Sequence, residues 1–210
     1  MFQTIATQFN AGGNFMWIIL LVFAAALAVV LERTIYYFVY CSANTGKLIF
    51  TITSALNGDK LTDTVTLLKK RHNPLYKLLY TAVERYHAGA PIEQIEEGVE
   101  ETSIKELPKI TGRISYLSLF ANIATLVGLL GTIAGLQQSF SSLASAEAAQ
   151  KAAMLASGIA QAMNTTAFGL IVAVPCMVLF TVLNNKQQAL INDIDDAVVR
   201  IVNTMKTARN

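Results

Sequence analysis

The stretch Asn122-Ile-Ala-Thr-Leu-Val-Gly-Leu-Leu-Gly-Thr-Ile-Ala-Gly-Leu-Gln-Gln-Ser-Phe140 decides how this chain is read. It is apolar enough to lie in a bilayer, yet its small and hydroxylated residues are not scattered. Ala121, Ala124, Gly128, Gly131 and Gly135 step by three and four, which on a helix makes one narrow stripe of nearly bare backbone. Gly131 and Gly135 form a GxxxG pair, a surface on which a second membrane helix packs closely. Thr125, Thr132 and Ser139 recur every seven residues along one edge of that stripe. Leu119, Ile123, Leu126, Leu130 and Ile133 take the other side. Two readings follow: a packed membrane helix whose hydroxyls bond back to its own carbonyls, or a helix lining a polar passage. Small residues and Ser/Thr are ordinary packing devices in membrane bundles, which favours the first from this stretch alone.

Working outward, the 210 residues are 53% hydrophobic and only 14% charged, apolar for a water-soluble domain. The net charge of +2 implies no nucleic-acid partner. Cys41 and Cys176 stand alone, so neither a disulfide framework nor a zinc site is expected. No other metal or cofactor motif occurs. His72 and His87 are isolated on polar helical sequence and read as solvated surface residues. Ten of the sixteen basic and nine of the fourteen acidic residues lie between Cys41 and Ser115. The chain therefore reads as membrane spans around a water-exposed middle.

The sequence predicts an all-α membrane protein with three transmembrane helices and long cytoplasmic helical extensions. Residues 1–14 are uncharged and place Phe2, Ile5, Ala6 and Phe9 on one face, suiting a short outer interfacial helix ended by Gly12 and Gly13. No basic stretch precedes the apolar run that follows, so a secretory signal is not expected. Residues 15–40 form the first span, with Trp17 at one end and Tyr36, Tyr37 and Tyr40 at the other. Glu32 and Arg33 near its inner end are expected to make a structural ion pair at the interface, with each other or with neighbouring helices. Residues 41–115 form a cytoplasmic helical domain, with helical spacing at Leu61–Lys70 and Pro74–His87 and Pro91 starting another helix. Pro108 can kink that helix, and no strong stop is seen before Phe140.

Residues 116–140 are the second span and 141–154 a short periplasmic segment. Residues 155–183 are the third span, and Pro175 is expected to bend it. Gly158, Ala162, Thr165, Gly169, Ala173 and Cys176 make a second small-residue stripe there, with Gln161, Asn164 and Thr166 on or near its edges. Residues 184–210 form an amphipathic C-terminal helix through Leu190, Ile194, Val198, Ile201 and Met205. Basic residues number ten in the middle segment and four in the tail, against none in the N-terminus and one in the second loop. The positive-inside rule then places the N-terminus in the periplasm and the tail in the cytoplasm.

Two stretches carry a resemblance. The run from Ala121 to Gly135 resembles the second-span signature of the MotA/TolQ/ExbB proton-channel family, and Gly158 to Pro175 resembles its third-span signature. The three-span layout is similar to the TolQ/ExbB branch rather than to the longer flagellar stators. The resemblance implies an inner-membrane ring, a homo-oligomer and usually a pentamer, around single-span ExbD- or TolR-like partners whose helix carries an intramembrane aspartate. It also implies a TonB- or TolA-like energy transducer and work on the cell envelope, with no enzymatic activity. Thr132 and Thr166 match the family's pore-facing threonines. Gln161 stands where the TolQ and ExbB branches usually have glutamate, and an amide cannot release a proton near neutral pH. The expected ion-pathway residues are Thr132, Thr166 and Gln161, with Thr125 and Thr165 beside them. Gly128, Gly131, Gly135, Gly158, Gly169 and Pro175 are expected to serve helix packing. A non-conducting scaffold that holds a partner remains the alternative, and a solute carrier or membrane enzyme lacks any supporting motif.

Overall fold

The computed structural model describes residues 12–41, 44–56, 61–71, 73–143 and 148–209, and every regular element among them is helical. The expected interfacial helix at 1–14 and His72 lie essentially outside these residues. The helices are α1 (Phe15–Ile35), α2 (Thr45–Leu56), α3 (Leu61–Lys69), α4 (Pro74–His87), α5 (Ile92–Thr111), α6 (Ser115–Leu143) and α7 (Ala148–Arg209). After Ile35, α1 widens into a π-helical turn over Tyr36–Tyr40, closed by Cys41 N–H donating to the Tyr36 carbonyl at 2.9 Å. Three helical stretches are long and apolar enough to cross a membrane. The chain divides into two compact units, one of residues 1–32 with 113–182 and one of 33–112 with 183–210.

In the first unit α6 carries no charged side chain, nor do residues 152–185 of α7. Met16, Ile19, Val22 and Ala26 of α1 are buried. Leucines and isoleucines on the outer faces of α6 and α7, such as Leu126, Ile133 and Ile171, are exposed. Such surfaces suit hydrocarbon or further helices. Pro175 lies inside α7, which continues on both sides of it.

The second unit is a helical bundle with a conventional core. Leu78, Leu79, Ala82 and Val83 of α4, Ile95 and Ile110 of α5, and Ile194, Ala197, Ile201 and Met205 of α7 are buried. Asn73 caps α4 by accepting from Leu75 N–H at 2.9 Å, and Pro74 fits the first turn, where no N–H is needed. Glu106 is buried and bridges Lys77 at 3.0 Å and Lys109 at 2.6 Å. Burial pushes the Glu106 carboxyl up, but the Lys109 and Lys77 ammonium groups outweigh it and hold it below its ordinary 4.5. Lys206 pairs with Glu96 at 2.6 Å, and Arg209 donates to the Gly89 and Ala90 carbonyls, tying the chain's end to the turn before α5.

The structure corrects the expectation of an unbroken helix from Pro91 to Phe140. The chain leaves the helix at Gly112, whose backbone is extended, and Arg113 takes a left-handed conformation with φ of 67°. Pro108 is accommodated within α5. The helix ends through the extended Gly112 followed by the left-handed Arg113, and Gly112 N–H closes its last turn on the Pro108 carbonyl at 2.9 Å. The Arg113 guanidinium reaches Glu32 at 2.7 Å.

Candidate functional site

The two small-residue stripes meet. All of Ala121, Ala124, Gly128, Gly131 and Gly135 on α6 are buried, as are Gly158, Ala162, Thr165, Gly169, Ala173 and Cys176 on α7. The approach is backbone on backbone. A Cβ at Gly169 would lie 2.7 Å from the Ala124 carbonyl oxygen, and one at Gly128 would lie 3.3 Å from both the Thr165 oxygen and the Thr166 Cα. A Cβ at Gly131 would overlap the Thr165 side chain, one at Gly158 the Ser139 hydroxyl, and one at Gly135 would stand 3.2 Å from the Ala162 Cβ. Glycine is needed because only a missing side chain lets two helices reach this separation.

The seam has two margins of different character. On α7, Gln161 and Thr166 are five residues apart, which at about 100° per residue turns them roughly 140° from one another. They therefore flank the stripe on opposite sides. Thr166 Oγ1 donates across the seam to the Gly128 carbonyl at 3.0 Å. Thr132 lies one turn beyond Gly128 and Thr125 lies near the same edge, giving a threonine margin. Thr132 donates to the Leu129 carbonyl, and Thr125 donates to the Ala121 carbonyl at 3.1 Å. Ser139 likewise donates to Gly135 at 2.8 Å. On α6, then, the hydroxyls bond back to their own helix, as the packing reading expects, while Thr166 joins the two helices.

The other margin carries amides. Gln161 and Gln138 line a recess of about 270 Å³ with Gly12, Gly13, Asn14 and Ala134. Thr165 is 1% exposed and has acceptors at 3.0 Å in both the Gly12 and Gln161 carbonyls. Gly13 has a positive φ of 73°, and a Cβ there would come 2.6 Å from the Gln161 amide nitrogen. Among the five expected pathway residues, the structure thus groups Thr125, Thr132 and Thr166, and separately groups Gln161 and Thr165 with the turn that begins α1. The Gly12 carbonyl and Gln138 were missed in the sequence. Gly12 reads there only as a helix end, and Gln138 carries no reading of its own.

Glu32 and Arg33 engage groups far from them in sequence. Glu32 takes Arg113, while Arg33 donates to the Lys109 carbonyl at 3.1 Å and lies over the Tyr36 ring.

The sequence profile of the MotA/TolQ/ExbB proton channel family matches residues 70–196, more than half of the chain and all of the seam. This chain belongs to that family. Among its relatives, an ExbB homolog described as a biopolymer transport protein in Methanothermobacter thermautotrophicus is 24% identical over 200 residues, 95% of this chain and 67% of that protein. A biopolymer transport protein of Synechocystis sp., ExbB-like 1, is 28% identical over 186 residues, 86% of this chain and 70% of that one. The Tol-Pal system protein TolQ of Haemophilus influenzae is 32% identical over 89 residues, 42% of this chain and 39% of that protein. The MotA/TolQ/ExbB assignment agrees with an all-helical chain holding three candidate spans.

Proposed function

We propose that this chain is the ring-forming subunit of an inner-membrane motor driven by the proton-motive force. Five copies would surround single-span ExbD- or TolR-like helices that carry an intramembrane aspartate, and a TonB- or TolA-like transducer would receive the work. The spans would be residues 15–40, 116–140 and 155–183, with the N-terminus periplasmic and the tail cytoplasmic.

The observation that carries this reading is a polar threonine margin on an apolar helix pair that has no acid or base of its own. Moving a proton through hydrocarbon needs a titratable group or a water wire, and α6 with residues 152–185 of α7 holds no carboxylate, amine or imidazole. In this reading the acid comes from a partner, and this chain supplies the wall. The geometry refines what the hydroxyls do there. Thr125, Thr132 and Thr166 each have their proton directed to a backbone carbonyl. A hydroxyl whose proton is committed still has an oxygen lone pair to offer. Such a margin suits a protonated carboxyl, which donates, and thereby favours the neutral form of a carrier in the membrane.

The test is proton flux in liposomes containing this chain with its single-span partner. Thr166→Val should lower flux about tenfold, the order expected when one hydrogen bond to the neutral carboxyl is lost. Thr166→Ser should restore it. Wild-type flux that is absent with the partner bound would favour the non-conducting scaffold. Undiminished flux in Thr166→Val would remove the margin from the pathway.

A further inference from the structure

A second site lies in the helical bundle, away from the seam. A cavity of about 110 Å³ is lined by Tyr37 and Phe38 at the π-helical end of α1, Asn73 before α4, and Lys186, Leu190 and Asp193 of α7. Lys186 Nζ stands 5.8 Å from the centre of the Phe38 ring. Among the described residues, no ion pair joins Lys186 or Asp193. Two of the uncharged lining groups are occupied internally: the Tyr37 hydroxyl donates to the Ile110 carbonyl at 2.9 Å, and the Asn73 amide donates to the Tyr40 carbonyl at 3.0 Å, while Thr45 and Cys41 complete the polar lining. The cavity therefore presents a half-exposed cation over the Phe38 ring and an exposed anion, neither of which has an ion-pair partner among the described residues.

Their spacing and order are informative. Lys186 and Asp193 are seven residues apart, two turns on one face of α7 and about 10.5 Å along its axis. Lys186 directly follows the uncharged stretch 152–185, so it stands where the apolar part of the helix ends, and Asp193 stands further from it. The neighbouring Tyr36 and Tyr40, half-exposed and exposed, are the kind of aromatic residues that mark a bilayer interface, while Tyr37 is turned into the bundle. Phe38 is 61% exposed beside Lys186 and offers an apolar surface to an acyl chain. A phospholipid headgroup with a primary ammonium has the matching polarity. Its phosphate lies next to the hydrocarbon and its ammonium points outward.

We propose that this cavity binds the phosphoethanolamine headgroup of a membrane lipid, with Lys186 on the phosphate and Asp193 on the ammonium. The order of the two charges along α7, cation nearer the apolar stretch and anion two turns beyond it, matches the order of phosphate and ammonium in the headgroup. A phosphoglycerol headgroup satisfies Lys186 but leaves Asp193 facing a neutral glycerol beside an anionic phosphate. A phosphocholine keeps the charge but cannot donate hydrogen bonds to the carboxylate. The inference rests on α1 and α7 lying in a bilayer and not on ion conduction.

The experiment is native mass spectrometry of the full-length, delipidated chain in detergent, offered phosphatidylethanolamine, phosphatidylglycerol and phosphatidylcholine with identical acyl chains. The phosphoethanolamine lipid should be retained about twofold to fivefold over the other two, the range of one half-exposed ion pair. Asp193→Asn should abolish that preference while phosphatidylglycerol binding persists, Lys186→Gln should weaken all three, and Asp193→Lys should reverse the preference toward phosphatidylglycerol. Equal or greater retention of phosphatidylglycerol by the wild-type chain would overturn the proposal, as would an unchanged preference in either Asp193 variant. Complete displacement of the lipid by an equal concentration of soluble glycerophosphoethanolamine would also overturn it, by showing that the site takes a water-soluble zwitterion.

Discussion

Gly169→Ala is the sharpest probe of the seam. The new methyl group would meet the Ala124 carbonyl oxygen at 2.7 Å and the Gly128 Cα at 3.2 Å, short of the 3.4 Å at which ordinary contact begins. Both neighbours are backbone, so no side-chain rotation can relieve the overlap, and the helices must separate. Overpacking of this kind costs about 1–3 kcal/mol. Alanine returns up to about 1 kcal/mol through helix propensity. Separation also stretches the Thr166–Gly128 hydrogen bond, and bonds between membrane helices average about 0.6 kcal/mol. The net expectation is a loss of about 1–2 kcal/mol. It can be read from reversible denaturation of the full-length chain in mixed micelles, followed by the fluorescence of its single tryptophan, Trp17. Gly46→Ala is the control. Gly46 lies in the first turn of α2, with no crowding atom nearer than 3.8 Å and no positive φ. It should be as stable as the wild type or more stable by up to about 1 kcal/mol, the same helix-propensity gain with no overlap to offset it. If Gly169→Ala were as stable as Gly46→Ala, backbone contact would not be what holds α6 to α7.

Three further outcomes are expected. Gln161→Glu should destabilise the chain, because it replaces a donor packed on the turn at Gly13 by an acceptor, and it should add no new titration step to proton flux. A new step would place Gln161 on the pathway after all. Glu106 binds its proton less readily folded than unfolded, so its stabilising effect is complete above 4.5 and is lost as pH falls below that value. Comparing acid unfolding of the bundle in the wild type and in Glu106→Gln should show the extra acid sensitivity only in the wild type, and parallel curves would contradict the assignment. Arg113→Gly removes a left-handed Cβ cost of about 1 kcal/mol together with a half-exposed ion pair worth about as much, so thermal unfolding should change little. A large loss would show that the Glu32 link carries more than an exposed pair ordinarily does.

The seam was legible in the sequence because its code is periodic. Residues that must be small recur at three and four on both helices, and nothing but a neighbouring backbone selects that pattern. The end of α5 was harder to read. Gly112 is followed at once by helix-compatible residues, and Pro108 four positions earlier draws attention as the more obvious breaker. The division of the polar residues into two margins could not be read from either helix alone. Gln161 and Thr166 both sit near the stripe's edges, and the register between α6 and α7, together with the return of Gly12 and Gly13, decides which side each occupies. The resemblance grouped Thr132, Thr166 and Gln161 by their places in motifs, whereas three-dimensional packing separates the amide from the hydroxyls. The cavity at Lys186 and Asp193 joins residues about 150 positions apart and leaves no local pattern to find.

The α6–α7 seam has a mechanical consequence. Because its contacts are made by main chain and by the short side chains of alanine, serine and threonine, it contains few rotatable bonds that could absorb sliding or twist. Two helices joined in this way resist shear as a single stave, and the compliant surfaces are the leucine and isoleucine faces outside them, where side chains can exchange rotamers. If copies of this chain surround a turning shaft, slip would concentrate between staves and against the shaft. The threonines of each stave would then keep a fixed spacing through every step of the cycle.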